Sequence, residues 1–127
     1  MENVQTTTKT ATLYERLGGE EKVRKIVRDV LQKNLDNPII GHHFQKVDME
    51  KLNQLVFDFF SMGIGGPHKY GGRDMRTAHA HLNITDDDFQ RANIDTILAL
   101  KENGVADAEI NEIISILDSM RGDVIRS

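Results

Sequence analysis

"GGPHKYGGRDMRTAHAHLNIT", residues 65 to 85, decides how this chain is read. Two glycine pairs and a proline break a helical pattern in mid-chain, because glycine reaches backbone angles that other residues avoid and proline lacks the amide a helix needs. A short helix over Met75 to Leu82 follows the break. It carries His79, with Met75 four residues before it and Leu82 three after, so the imidazole rises from an apolar stripe. A buried histidine in such a place needs a partner for its ring nitrogens. From spacing alone a satisfied core histidine is the simpler reading and a metal ligand the sharper one.

Before this stretch, "LYERLGGEEKVRKIVRDVLQKNL" reads as a short helix, a Gly18-Gly19 break and a longer helix from Glu20 to Leu35. Val23, Ile26, Val27, Val30 and Leu31 recur on one face of that helix at three- and four-residue spacing. Pro38 ends it. A connector, "IIGHHFQKVD", brings His42, His43 and Phe44, and a third helix starts at Met49 with Asp48 as its N-cap. Leu52, Leu55, Val56, Phe59 and Phe60 then form a wide apolar wall. Beyond residue 85, Thr85 and Asp88 make a capping-box-like start to a helix over Phe89 to Lys101, closed by Asn103-Gly104. A last helix from Asp107 is expected to carry Ile110, Ile113, Ile114, Leu117 and Val124 on one face. No segment alternates like a half-buried strand, so the expected fold class is all-α with five or six helices.

The 127 residues suit one domain. Residues 1 to 11, polar and rich in threonine, read as a disordered tail, and 12 to 127 as the folded domain. A net charge of -4 gives no basic field for nucleic acid. The absence of cysteine rules out disulfides, thiolate catalysis and cysteine-held metals. No apolar run approaches the about 20 residues of a membrane span, and the first residues lack the apolar core of a signal peptide, so a cytoplasmic protein is expected. Catalytic motifs are equally scarce. Ser61 has no neighbouring base, "GGPHKYGG" is no phosphate loop, and Asp86, Asp87 and Asp88 read as first-turn acids facing a helix dipole. No histidine pair has the spacing of a helical zinc site. His79 and His81 point about 200° apart on a helix.

Taken in order, "LYERLGG", "HFQKVDM", "GGPHKYGGRDMRTAHAHL" and "ITDDDF" resemble the group I truncated haemoglobins, the short 2-on-2 globins, from about Leu13 to Val124. The resemblance implies a 2-on-2 helical sandwich around haem b. His79 falls on the proximal histidine that ligates the iron, Phe44 on the aromatic that packs against the haem face, and Phe60 on a residue lining the cavity. Tyr70, Arg73 and Met75 fall on the family's "Y-x-G-R-x-M" stretch, and Lys51, Lys69, Arg73 and Arg76 are the cations available to the propionates. The distal side departs from the family. Leu31 stands where a tyrosine usually donates to the bound gas, Val30 where phenylalanine is usual, and Leu52, Leu55 and Val56 where a polar residue is often found. Asn53 and Gln54 are expected to face away from the wall, leaving the pocket almost wholly apolar.

The implied function is binding of O2, CO and NO, with a role in oxygen handling or NO detoxification and an electron-donating reductase as a partner for any NO dioxygenase activity. An apolar pocket implies faster O2 release than in tyrosine-bearing relatives. A side chain from the connector, His42 or His43, is a second candidate for the sixth iron site. Covalent haem attachment through the last helix is not expected, since residues 107 to 127 contain no histidine and Met120 lies in the matching region. The chain is expected to be monomeric. Two other readings are a haem-based sensor or partner-binding module, and a haem-free helical interaction domain in which His79 is merely buried.

Overall fold

The computed structural model describes residues 11 to 80 and 82 to 125. Its elements are α1 (Leu13–Leu17), α2 (Glu20–Asp36), a 3-10 helix (Gly41–Phe44), α3 (Met49–Gly63), α4 (Met75–His79), α5 (Asp86–Glu102), α6 (Asp107–Ser119) and α7 (Arg121–Val124). No strand occurs among the described residues, so the fold is all-α as expected.

Local chemistry accounts for most of these boundaries. Thr12 and Glu15 form a capping box at α1, and Gly18 ends it at φ 117°, a left-handed conformation that costs a glycine little. The side chain of Asp48 caps α3 by accepting from the Lys51 amide. Thr85 and Asp88 cap α5 reciprocally, with aspartate doing the work usually done by glutamate. At the far end of α3 the chain turns so tightly that a Cβ on Gly66 would lie 2.3 Å from Ser61 Oγ and 2.6 Å from the Tyr14 ring. The same corner is tied to the start of the fold by the Tyr14 amide, which donates to the Ile64 carbonyl at 3.0 Å.

The core is built from one face of α2, through Val23, Ile26, Val27 and Leu31, against Phe57 of α3, Leu100 of α5 and Ile110 and Ile113 of α6; α1 closes one end. Helices α2 and α5 run antiparallel along a polar seam, in which Asn103 donates to Asp29, Lys33 to Glu102 and Asn37 to Asp95. Helix α2 also packs on α3, and α5 on α6. Helix α2 thus lies between α3 and α5, and the side of α3 opposite Phe57 and Ser61 is only half-buried among the described residues.

Three expectations need correcting. The helix expected over Met75 to Leu82 ends at His79: the Leu82 amide turns back to the His79 carbonyl at 3.0 Å, and Asn83 reverses the chain at φ 55°. The last helix does not continue to Val124; it breaks at Met120, so α6 carries Ile110, Ile113, Ile114 and Leu117 while Val124 belongs to α7. The count of five or six helices is therefore too low, with seven α-helices and one 3-10 turn among the described residues. The expected tail falls almost entirely on residues outside those described.

Candidate functional site

Helix α3 presents two different faces. Phe57 and Ser61 are fully buried toward the core, 1% and 0% exposed. Leu52, Leu55, Val56, Phe59 and Phe60, on the other side, are all half-buried. Leu52, Val56 and Phe60 lean on the core from the rim, as does Phe44 from the 3-10 helix; Leu55 and Phe59 are not part of that cluster. Leu31 of α2, at 5% exposure, backs the wall from within. Apolar surface left half-covered forgoes about 25 cal/mol per Å2 of burial. Five such side chains in one helix form a surface suited to a flat apolar partner.

The polar residues of α3 are turned to other tasks. Gln54 accepts from Arg24 at 3.1 Å and donates to Asp58 at 2.9 Å, and Asn53 donates back to the Met49 carbonyl at 2.9 Å. Leu31, Leu52, Leu55, Val56, Phe59 and Phe60 carry no hydrogen-bond donor at all. The side chains of this wall are hydrocarbon throughout.

The glycine-rich loop is ordered by aromatic contacts with α3. His68 stands edge-on to Phe57 at 4.8 Å between centroids, with Nε2 3.5 Å from Glu20 Oε1, and the Arg24 guanidinium sits 4.0 Å from the Phe57 ring centroid. Tyr70 meets Phe59 edge-on at 5.0 Å, and its hydroxyl donates to the Arg73 carbonyl at 2.5 Å. Gly72 is required here, because a Cβ at that position would lie 2.5 Å from the Tyr70 hydroxyl. Tyr70 therefore links the position of α3 to the start of α4. Asp74 caps α4 by accepting from the Thr77 amide, and hydrogen bonds from the Thr77 side chain and then its amide hold the carboxyl below the usual carboxylate range.

On α4, His79 is half-buried and its Nδ1 lies 2.8 Å from the Met75 carbonyl oxygen. A carbonyl can only accept, so Nδ1 carries the proton and Nε2 presents a lone pair. That arrangement fixes the ring and raises its basicity toward a metal. Met75 and Leu82 flank it, both half-buried. Among the described residues no three His, Cys, Asp or Glu side chains converge on a point that would hold an ion. A single free nitrogen beside apolar surface thus fits a metal that brings most of its own ligands, and the residues present fit a haem.

The candidate cations divide. Arg76 donates to Asp123 at 3.1 Å, whereas among the described residues no ion pair engages Lys51, Lys69 or Arg73. Of the connector histidines, His43 Nε2 is held 3.2 Å from Asp88 Oδ2, with both side chains largely buried. Burial opposes ionisation of Asp88, but the Thr85 and His43 hydrogen bonds outweigh it and keep its carboxyl low. His42 is exposed and its ring lies 4.1 Å from that of His43. The Asp88 contact, the His68 contact and the role of Arg76 depend on distant partners and have no signature in local sequence. His81 lies outside the described residues.

A family model described as bacterial-like globin matches residues 12 to 126. The chain is 34% identical over 117 residues to the group 1 truncated hemoglobin of Tetrahymena pyriformis, covering 92% of this chain and 97% of that protein. The crystal structure of that Tetrahymena protein in its Fe(III) form superposes with a TM-score of 0.87, covering 91% of this chain and 99% of that one. The 2/2 hemoglobin of Synechococcus, solved in the cyanomet state with covalently attached heme, gives a TM-score of 0.85 at 32% identity, with 91% and 98% covered.

Proposed function

The chain belongs to the bacterial-like globin family as a group 1 truncated haemoglobin, and on that premise we propose that it is a haem b protein that binds O2, CO and NO through an apolar distal pocket. Membership implies a haem site. The hydrogen bond from His79 Nδ1 to the Met75 carbonyl is the observation that most supports placing it, since it leaves Nε2 as the iron ligand. Leu31, Phe44, Leu52, Leu55, Val56, Phe59 and Phe60 would line the distal face, Met75 and Leu82 would pack beside the ligand, and Tyr70 would hold the loop between them. Lys51, Lys69 and Arg73, without an ion pair among the described residues, are the cations available for the propionates.

Haem supplies an iron centre at which diatomic gases bind reversibly. What the chain adds is polarity and access. With no donor on Leu31, Leu52, Leu55 or Val56, O2 loses a stabilisation that CO needs less, so O2 is released quickly and discrimination against CO is weak. The Asp88 contact commits one nitrogen of His43 elsewhere, which favours an open sixth site over internal ligation. The role that follows is oxygen handling or NO removal in the cytoplasm by a monomer, with a reductase needed for turnover. No described helix is long and apolar enough to cross a membrane.

The test is the absorption spectrum of the ferrous protein purified with haem available, beside His79→Ala. One haem per chain with a five-coordinate ferrous spectrum, and a Soret band that collapses or shifts in the variant, is the expected result. A wild type that takes up no stoichiometric haem would overturn the reading and leave a helical interaction domain in its place.

A further inference from the structure

Helix α4, which carries His79, is poorly supported by its own sequence. It has five residues and none is buried. Helices this short do not persist in water on their own, so the orientation of α4 must come from what it packs on. Its chief packing partner is α7, the four-residue helix that follows the break at Met120.

We propose that α7 is a strap, fastened at both ends by ion pairs, that positions His79. This rests on the reading of His79 as the haem ligand. One fastening joins α7 to α4: Arg76, one turn before His79, donates to Asp123. The other joins α7 to the first turn of α5, where Arg121 donates to Asp86. Because α4 and α5 are consecutive, the two pairs close a ring around the segment that holds His79. An open cleft lies between the two helices. A pocket of about 300 Å3 lies between α4 and α7, lined by Arg76, His79 and Ala80 on one side and residues 122 to 125 on the other. A Cβ added to Gly122 would meet nothing within 4 Å. Val124 and Ile125 on the α7 side are only half-buried, so the charged pairs carry much of the positioning.

Both pairs are exposed, with side-chain exposures of 72% and 50% for Arg76 and Asp123 and of 50% and 52% for Arg121 and Asp86. Their effect is therefore modest and sensitive to salt. The experiment compares wild type with Asp123→Asn, Arg121→Gln, the double variant and the charge swap Arg76→Asp/Asp123→Arg. Haemin transfer to excess apomyoglobin measures ligand retention, and the iron-histidine stretching band in resonance Raman measures the ligand bond itself. Each single variant should lose haemin up to about fivefold faster, the upper end for one exposed ion pair, and the double variant faster still. The iron-histidine band should shift or broaden in the variants. High salt should bring wild type to the behaviour of the double variant, and the swap should restore the wild-type rate at low salt.

Equal haemin loss and an unchanged band across the set would overturn the strap. So would a swap that behaves like the single variants. Hydrogen exchange at the Thr77 and Ala78 amides keeps the strap testable without haem: faster exchange in Asp123→Asn than in wild type supports it, and equal exchange sinks it. A wild type that takes up no haem but shows that exchange difference would defeat the haem reading while leaving α7 as the support of α4.

Discussion

Replacing Leu31 with tyrosine puts a hydroxyl into a wall that otherwise has no donor. Leu31 is 5% exposed and belongs to the core, and Leu52, Val56 and Phe60 lean on the same cluster. A phenol at this position faces the side where the gas would bind, and the resemblance to other family members implies that a tyrosine there reaches it. A hydrogen bond to a charge-bearing group contributes about 1.5 to 3 kcal/mol. Expressed in dissociation, that is roughly 10- to 150-fold slower O2 release, with CO release little changed. The larger ring also crowds a closed core, at a cost of about 1 to 3 kcal/mol in folding stability. Leu31→Phe carries the same crowding without the hydroxyl, so the comparison of the two variants isolates the donor. Stopped-flow displacement of O2 by CO would supply the rates, and thermal unfolding the packing cost. The reasoning fails if Leu31→Tyr and Leu31→Phe release O2 within twofold of each other, or if wild type already matches the tyrosine variant.

Two glycines of one turn should respond oppositely to alanine. Gly66→Ala forces a Cβ to 2.3 Å from Ser61 Oγ and should lower the midpoint of thermal unfolding by several degrees, whereas Gly63→Ala meets nothing within 4 Å and should be neutral or slightly stabilising. Equal midpoints for the two variants would contradict the close packing of that corner. The Asp29 carboxyl is held low chiefly by Lys25, with burial opposing and Asn103 assisting. A depressed carboxylate contributes stability that is complete above its unfolded value of about 3.9 and is lost as pH falls through the lower folded value. Asp29→Asn should therefore be less stable than wild type at pH 7, with the gap closing in acid; denaturant titrations showing the same gap at pH 7 and below pH 3 would refute this.

What could be read from the sequence follows a physical division. Asp48 and the Thr85–Asp88 pair were legible because a cap and the amides it satisfies lie within three residues. The α3 wall was legible because helical period alone puts Leu52, Leu55, Val56, Phe59 and Phe60 on one side. Its polarity was legible too, since leucine and valine offer no donor wherever the backbone carries them. Local pattern misjudged where α4 stops and where the last helix breaks, because Ala80 and Met120 can continue a helix by propensity and do not do so in this tertiary setting. His79 itself was picked out by the resemblance, but how its helix is held was not, for a different reason. The His79 tautomer depends on where one carbonyl falls, and the contacts that hold α4 join residues 47 and 35 positions apart. On the proposed function, the chain's preference among gases would be set by single substitutions on α2 and α3 that are visible in its sequence. Its grip on the histidine is set by where α7 lies, and α7 lies where the break at Met120 puts it. On the strap reading, a substitution at Met120 or Gly122 should therefore act through the placement of α7, changing haemin retention more than O2 release, and equal changes in both would contradict it.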